Sequence, residues 1–330
     1  MTTEIGENDM ALRTLAEFSD NPSGFLALNE GTERFTVSGR RGFIAYRRAG
    51  RYLVQFGGPF GPPDDGAALL ASFLDLASSE RRRVVAIQLQ RADAERYAGR
   101  GFTVNQVGAS YALDLAGFTL RGTRFMRLRN KVSRARRSGL RVIETTPAEH
   151  ADALAAIDRQ WLRGKGRHVK EIEFLVGQIG GSMQAYRRLF AGLVDDVPVA
   201  YISYSPVFGA RPGWLHDLSR RRPDVPPGTM EAINASAIEV FRAANARWLH
   251  YGFTPFTGLD PAVELPGSSP MVRRFIRFLG AHGAAVYPAQ SQVAYKEKWG
   301  EQLVIPEYLA FYGRPRMGAI WQILRTTKSI

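Results

Sequence analysis

The chain has 330 residues, with 44 Lys and Arg against 31 Asp and Glu, giving a net charge of +13. That length can bury a large core and suggests about two domains, and the basic surplus favours a polyanionic partner, nucleic acid or an anionic membrane surface, unless it only reflects an arginine-rich proteome. Cysteine is absent, which excludes thiol nucleophiles, disulfides and zinc–thiolate sites and fits a cytoplasmic location; residues 1–30 lack a signal peptide's apolar stretch, and no run reaches the ~18 apolar residues of a membrane span.

Residues 1–10 read as polar and loose. Residues 11–28 read as mostly helical, with Pro22 interrupting the pattern. Two strands are expected at 43–46 and 52–56, turned at 47–50. A Gly/Pro-rich loop over 57–63 precedes Asp64, Asp65 and a helical pattern through Leu69, Leu70, Phe73 and Leu74. A buried strand at 84–89, a short helix at 91–99 and a strand near 110–115 complete an α/β unit of strand, strand, helix and strand.

Residues 121–141 hold nine basic side chains and no acid: Arg121, Arg124, Arg127, Arg129, Lys131, Arg134, Arg136, Arg137 and Arg141. The spacing predicts a helix from about residue 122 to 138. Phe125, Leu128, Val132 and Ala135 form its single apolar stripe. Like charges at i, i+3 and i+4 repel, so an anion such as the phosphates of a tRNA acceptor stem would relieve them; a solvated arginine-rich helix is the alternative. After a strand at 141–145 the element order repeats. Helix 147–163 is followed by strands 189–194 and 199–206, turned at Asp195-Asp196. Strand 214–218, helix 230–244, strand 248–253 and helix 270–283 come next, and 286–296 is expected to close the series as a strand. The tail 314–328 is amphipathic, with Met317, Ile320, Trp321 and Leu324 on one face and basic ends. It suits either docking on its own domain or peripheral contact with a membrane.

The most informative stretch is residues 217–230, where Asp217, three consecutive arginines from Arg220 to Arg222, and Pro223, Pro226 and Pro227 lie between a strand and a helix. Asp217 is expected at the carboxyl end of its strand, where open α/β sheets bind ligands, with Arg220 opening the loop. Together they would offer a carboxylate to accept a proton or orient an amine, and a guanidinium to stabilise an oxyanion or hold a phosphate. A structural salt bridge is the alternative. Alternation turns His216 to the opposite face and His250 toward the core. No His/Glu spacing suggests a metal site, and no Gly-x-Ser-x-Gly or Gly-x-Gly-x-x-Gly motif occurs where it would matter.

Taken in order, several short pieces carry a resemblance: Gly58-Pro-Phe-Gly61; Asp114 through Gly122 into Leu128-Arg-Asn-Lys131; Trp161-Leu162 with Lys165; Asp217-Leu-Ser-Arg220; Pro227-Gly-Thr-Met230; Gly252-Phe-Thr-Pro255; and Tyr295-Lys-Glu-Lys-Trp299. Over residues 30–325 the chain resembles the soluble catalytic portion of bacterial aminoacyl-phosphatidylglycerol synthases, the multiple peptide resistance factor family. Ser219 and Phe253 stand where that family carries methionine, and these 330 residues hold no counterpart of its large N-terminal membrane domain. The resemblance implies an α/β fold of two tandem GNAT-like acyltransferase domains joined by the long basic helix. On it, residues 1–118 form the first domain, 119–141 the helix, 142–313 the catalytic domain and 314–330 an amphipathic C-terminal helix. It implies a tunnel, an aminoacyl-tRNA donor and a lipid or small-molecule acceptor, with no cofactor and no metal, at a cytoplasmic or peripheral inner-membrane location. The catalytic roles would fall on Asp217, Arg220 and Lys298. RNA contact would fall on Arg124, Arg127, Lys131, Arg134 and Arg137, and substrate contact on Trp161, Lys165, Ser219 and Tyr251. Two other readings remain: a coenzyme A-dependent N-acyltransferase, disfavoured because Pro226 and Pro227 carry no amide hydrogen for a pyrophosphate, and a non-enzymatic RNA- or membrane-binding module.

Overall fold

The computed structural model describes residues 2–165, 173–282 and 289–328. The chain opens with α1 (Thr2–Phe18) and a 3₁₀ turn, Gly24–Leu28. It continues through β1 (Glu33–Phe35), β2 (Phe43–Ala49), β3 (Tyr52–Phe60), α2 (Pro63–Ser79), β4 (Arg83–Leu89), α3 (Arg91–Ala98) and β5 (Phe102–Asp114). Then come α4 (Met126–Arg137), β6 (Arg141–Thr145), α5 (Ala151–Lys165), β7 (Arg188–Val194), β8 (Val197–Val207), β9 (Gly213–Arg221), α6 (Thr229–Ala243) and β10 (Trp248–Pro255). The last elements are α7 (Pro270–His282), α8 (Ala289–Glu297), β11 (Leu303–Tyr312) and α9 (Met317–Thr326).

One arrangement occurs twice. β2 and β3 are antiparallel, and α2 carries the chain over to β4, parallel to β3. Likewise β8 and β9 are antiparallel, and α6 leads to β10, parallel to β9. Local chemistry sets the first crossover and the hairpin that leads into the second repeat. Pro63 opens α2 with its ring already at a helical φ, and Asp64 and Asp65 lie in the first turn, where the helix dipole favours acids. Asp195 and Asp196 both adopt positive φ between β7 and β8, the two-residue turn whose twist matches the strands.

Among the described residues all strands join one mixed sheet in the order β1-β2-β3-β4-β11-β5-β10-β9-β8-β7-β6. The two repeats abut where β5 pairs with β10. Side-chain alternation gives the sheet two buried faces. Ile44 and Leu53 pack under α2 with Leu69, Leu70 and Phe73, while Ala45, Val54 and Phe56 pack with Leu15, Phe25 and Ile323. In the second repeat, Ile202 and Tyr204 face α4 and α6 through Val132, Ala135, Ile233 and Phe241. Tyr201 and Leu189 face α5 through Leu154 and Ile157.

The structure departs from the sequence reading in three places. α1 is helical from Thr2 rather than loose. The first hairpin turns at Gly50 and Arg51, because Ala49 still pairs with Tyr52. Of the expected closing strand at 286–296, residues 286–288 lie outside the described residues and the remainder is α8; its Ala, Gln, Lys and Glu are good helix formers. The strand that closes the series is β11, masked in the sequence by Pro306. That proline is tolerated because β11 has only β5 beside it there: pairing with β4 begins at Tyr308. The tail docks on its own chain through Ala319 and Ile323, one of the two outcomes its amphipathic pattern allowed, and leaves Met317 and Trp321 62% and 55% exposed. Among the described residues no helix is long and apolar enough to cross a membrane.

Candidate active site

Parallel strands β9 and β10 are hydrogen-bonded only over Gly213–Leu215 and Trp248–His250. Beyond that they part, β9 following β8 and β10 following β5. Gly252, at φ +67°, sits at a register shift in β10 that permits the divergence. A cavity of about 1060 Å³ fills the opening. Its polar lining comes from β9, α4 and the start of α6, with Asp217, Ser219, Arg220, Lys131 and Glu231. Its apolar lining comes from β10, α7 and α9, with Phe253, Phe275, Leu279, Ile320 and Leu324.

β9 is longer than expected and runs through Arg220 to Arg221, so Arg220 lies in the strand rather than opening a loop. A register shift against β8, where Ser203 faces Leu218 but Tyr204 faces His216, leaves Asp217 as an extra residue. In a regular strand, residues 217 and 220 would point to opposite faces. The bulge cancels that offset. Asp217 meets Ser205 and Arg187, and Arg220 meets Asp158 and Trp161 on α5, on the same face. The two do not pair with each other. Arg220 is 3% exposed, 3.2 Å from Asp158 Oδ1 and stacked over the Trp161 ring at 5.0 Å. Asp158 also accepts a hydrogen bond from Tyr201. The Asp217 carboxylate is wholly buried, 3.9 Å from Arg187 Nε. Burial pushes its pKa up to about 6, against the pull of Arg187 and Ser205. Its Oδ2 accepts from Ser205, while Oδ1 has no hydrogen-bond partner among the described residues.

The lysines of the closing motif separate. Lys298 Nζ is 3.2 Å from Glu231 Oε1, and Lys131 Nζ of α4 is 3.3 Å from the same oxygen. Lys296, which sequence reasoning passed over, lines the cavity. Its amine donates to Gly252 O at 2.7 Å and Thr254 Oγ1 at 2.6 Å. Burial drives the Lys296 pKa down and that of the neighbouring buried Glu307 up. On the opposite face of β9, His216 contacts Tyr204, Tyr251 and Tyr295. Burial holds it neutral, with a pKa of about 3.

α4 presses directly on the site. A Cβ on Gly228, at φ +93°, would stand 2.2 Å from the Lys131 carbonyl oxygen. Leu128, Val132 and Ala135 bury its apolar stripe, Arg127, Arg134 and Arg137 lie on its exposed remainder, and the exposed Arg124 sits in the 3₁₀ turn Thr123–Phe125 just before it. Arg127 and Arg134 have no ion-pair partner among the described residues. Trp161, Ser219 and Tyr251 line the cavity, and Tyr251 Oη accepts from Asn234 at 3.2 Å. Lys165 closes α5; its side chain lies outside the described residues.

Residues 12–311 match the family described as phosphatidylglycerol lysyltransferase, C-terminal. The chain belongs to that family. Among relatives of this phosphatidylglycerol lysyltransferase family, the lysylphosphatidylglycerol biosynthesis bifunctional protein LysX of Mycobacterium marinum is 28% identical over 233 residues, 69% of this chain and 21% of that protein. The phosphatidylglycerol lysyltransferase of Bacillus subtilis is 25% identical over 282 residues, 84% of this chain and 31% of that protein. The chain therefore spans between about a fifth and a third of these relatives. The solved structure of L-PGS from Bacillus licheniformis superposes with a TM-score of 0.76 at 22% identity, covering 96% of this chain and 95% of that one, so the fold is shared. Arg187, Asp158, Ser205 and Glu231 were missed in the sequence because each reaches the site from a different element. Lys296 could have been noticed as the first of the two basic residues of Tyr295-Lys-Glu-Lys298.

Proposed function

We propose that this chain is an aminoacyltransferase that moves an amino acid from tRNA to a hydroxyl of a lipid acceptor, without coenzyme A. The observation that carries the reading is the β9 bulge, which sets a buried carboxylate and a preorganised guanidinium on one face of a cavity that is part polar and part apolar. An aminoacyl ester is already activated, so positioning and charge stabilisation suffice. The acceptor oxygen attacks the ester carbonyl, a new C–O bond forms, the bond to the ribose oxygen breaks, and the acceptor proton ends on that ribose oxygen. In this reading Arg220, held by Asp158 and Trp161, stabilises the oxyanion. Asp217 Oδ1 receives the α-ammonium, and Lys298 with Lys131 and Glu231 orders the polar rim. Arg124, Arg127, Arg134 and Arg137 grip tRNA phosphates. Trp161, Lys165, Ser219 and Tyr251 bound the substrate space.

The lipid acceptor is supported by the apolar walls of α7 and α9, and peripheral membrane contact by the exposed Met317 and Trp321 of the tail. We read the two repeats as GNAT-like units, residues 1–118 and 142–313, bridged by 119–141 and sharing one sheet. Against coenzyme A stands the covered start of α6: the Lys131 carbonyl lies against Gly228 where a pyrophosphate would need amide hydrogens. The test is transfer of radiolabelled amino acid from a mixture of charged tRNAs to phosphatidylglycerol vesicles, with and without ribonuclease. Arg220→Ala and Asp217→Asn should lose at least ~100-fold in rate while keeping the wild-type circular dichroism, the scale of losing one charge-stabilising group. Ribonuclease-insensitive transfer, or full activity in either variant, would overturn the reading.

A further inference from the structure

We infer that a second cavity, of about 390 Å³ and lined by the starts of β3 and β4, the end of β11 and the head of α9, binds the phosphate of an anionic phospholipid headgroup. It anchors the chain on a bilayer, apart from the cavity in which transfer is proposed. The inference concerns binding alone and does not depend on the aminoacyltransferase reading.

Four arginines converge on this cavity from two separate chain reversals. Arg82 and Arg83 leave the turn between α2 and β4, where the Arg82 N–H donates to Ala77 O and the Arg83 N–H to Arg51 O. Arg314 and Arg316 follow β11, where Gly313, at φ +74°, turns the chain toward α9. That turn is pinned: the Gly313 N–H donates to Gly101 O at 3.2 Å, and its carbonyl accepts from Thr103 Oγ1 at 2.9 Å. Of the four, Arg82 is paired with Glu80 at 3.0 Å, and Glu80 also serves Arg48. Arg83, Arg314 and Arg316 are exposed and make no ion pair among the described residues. Three uncompensated cations around one small cavity repel one another. A phosphate relieves that repulsion through charge-assisted hydrogen bonds that the guanidinium fork matches.

The rest of the wall selects among anions. Ala77, Val84, Phe311 and Ala319 give it an apolar part, and Tyr52 and Tyr312 two phenols. A phosphodiester with a glyceryl body suits such a wall better than a bare inorganic ion. At the same end of the chain Tyr312, Met317 and Trp321 stand 49%, 62% and 55% exposed. Exposed Trp and Tyr among basic side chains are the composition of a bilayer-interface surface, and each Arg near an anionic leaflet adds attraction that salt screens. α9 borders both cavities, this one through Arg316 and Ala319 and the larger one through Ile320 and Leu324. A lipid phosphate held at the head of α9 therefore brings that helix to the bilayer, with the apolar wall of the larger cavity beside it. An RNA phosphate would match the arginines but leave Met317 and the apolar wall without a partner, so the surface favours lipid.

The test is sedimentation of the intact chain with phosphatidylcholine vesicles that contain or lack phosphatidylglycerol. The unaltered chain should bind the anionic vesicles alone. Arg314→Ala combined with Arg316→Ala should weaken that binding at least ~10-fold, a factor worth about 1.4 kcal/mol. Arg136→Ala combined with Arg242→Ala removes the same charge from exposed positions on α4 and α6 and should leave binding nearly unchanged. Ser78→Glu, which sets a carboxylate in the cavity wall, should weaken binding as the first pair does, with circular dichroism checking the fold of each variant. Equal losses in the two double variants would reduce the effect to net charge and overturn the inference, as would a failure to bind anionic vesicles at all. Calorimetry with inorganic phosphate and with deacylated tRNA separates the other sources. Phosphate bound at the cavity without vesicle binding, or tRNA that displaces vesicles and is itself lost in the Arg314→Ala, Arg316→Ala chain, would overturn the assignment to lipid.

Discussion

His250 is 1% exposed in β10, with Nε2 2.9 Å from the Arg211 carbonyl, which its N–H tautomer bonds. Burial lowers its pKa to about 4. An unfolded histidine titrates near 6.5, so between these values the unfolded chain binds more protons than the folded one. The neutral imidazole's contribution is therefore full above pH ~6.5 and is lost as pH falls toward 4, by at most about 3 kcal/mol for a shift of this size. Asp93 and Asp217, whose pKa values are raised to about 6 by burial, act in the opposite direction over the same range, so the effect is best read as a difference. Urea denaturation at pH 7 and pH 4.5 should show His250→Gln losing less stability on acidification than the parent chain. Equal losses would mean that the imidazole is not held neutral. At this scale the sequence exposed Asp217, Arg220 and the opposite-facing His216, because composition and strand alternation are local. It did not expose the bulge that rotates Asp217 onto the face of Arg220, since that depends on how β8 and β9 register. Arg187, Asp158 and Glu231 stayed hidden for a related reason: each arrives through space from a separate element.

The α4–α6 contact shows how an element is held in place by the absence of a side chain. Gly228 is the N-cap of α6, at φ +93°, and the Lys131 carbonyl fills the space of a Cβ. Gly228→Ala combines the left-handed backbone penalty with an overpacked contact, and should cost about 2–4 kcal/mol. Gly139, just past α4, has φ +85° with nothing within 4 Å of its Cβ position. Gly139→Ala bears only the backbone penalty, about 1 kcal/mol. Chemical denaturation of both variants separates the two contributions, and identical losses would show that α4 does not press on Gly228. The helix itself was legible from its stripe of Leu128, Val132 and Ala135, since helical periodicity is a signal carried by one element. β11 was not: Pro306 argues against a strand locally, and only the one-sided pairing at that position makes it acceptable.

For the whole molecule, the last strand is the one that binds the first half to the second. β11 lies between β4 and β5, pairing with β5 from Leu303 to Tyr312 and with β4 from Tyr308 onward. Tyr308, Leu309, Ala310 and Phe311 are all buried. Nothing else links β1–β4 to β5 within the sheet, so the N-terminal repeat is completed by residues some 200 positions downstream. Removing 303–330 would strip these four side chains together with the buried Glu307, Ala319, Ile323 and Thr327, expose two strand edges and sever the sheet. Each large buried side chain is worth about 1.5–3 kcal/mol, against a total stability of about 5–15 kcal/mol for a domain. A chain ending at residue 302 should thus fail to give a cooperative thermal transition and should partition into aggregates through the bare edges of β4 and β5. A chain ending at residue 314 keeps β11 and loses only the cover of α9, mainly Ala319 and Ile323. It should stay folded with a melting temperature lowered by several degrees, the shift expected for a loss of a few kcal/mol in a chain of this size. Soluble yield and circular dichroism melts of the two truncations decide the matter. A cooperative melt from the 302-residue chain would mean that the first repeat folds without its borrowed strand.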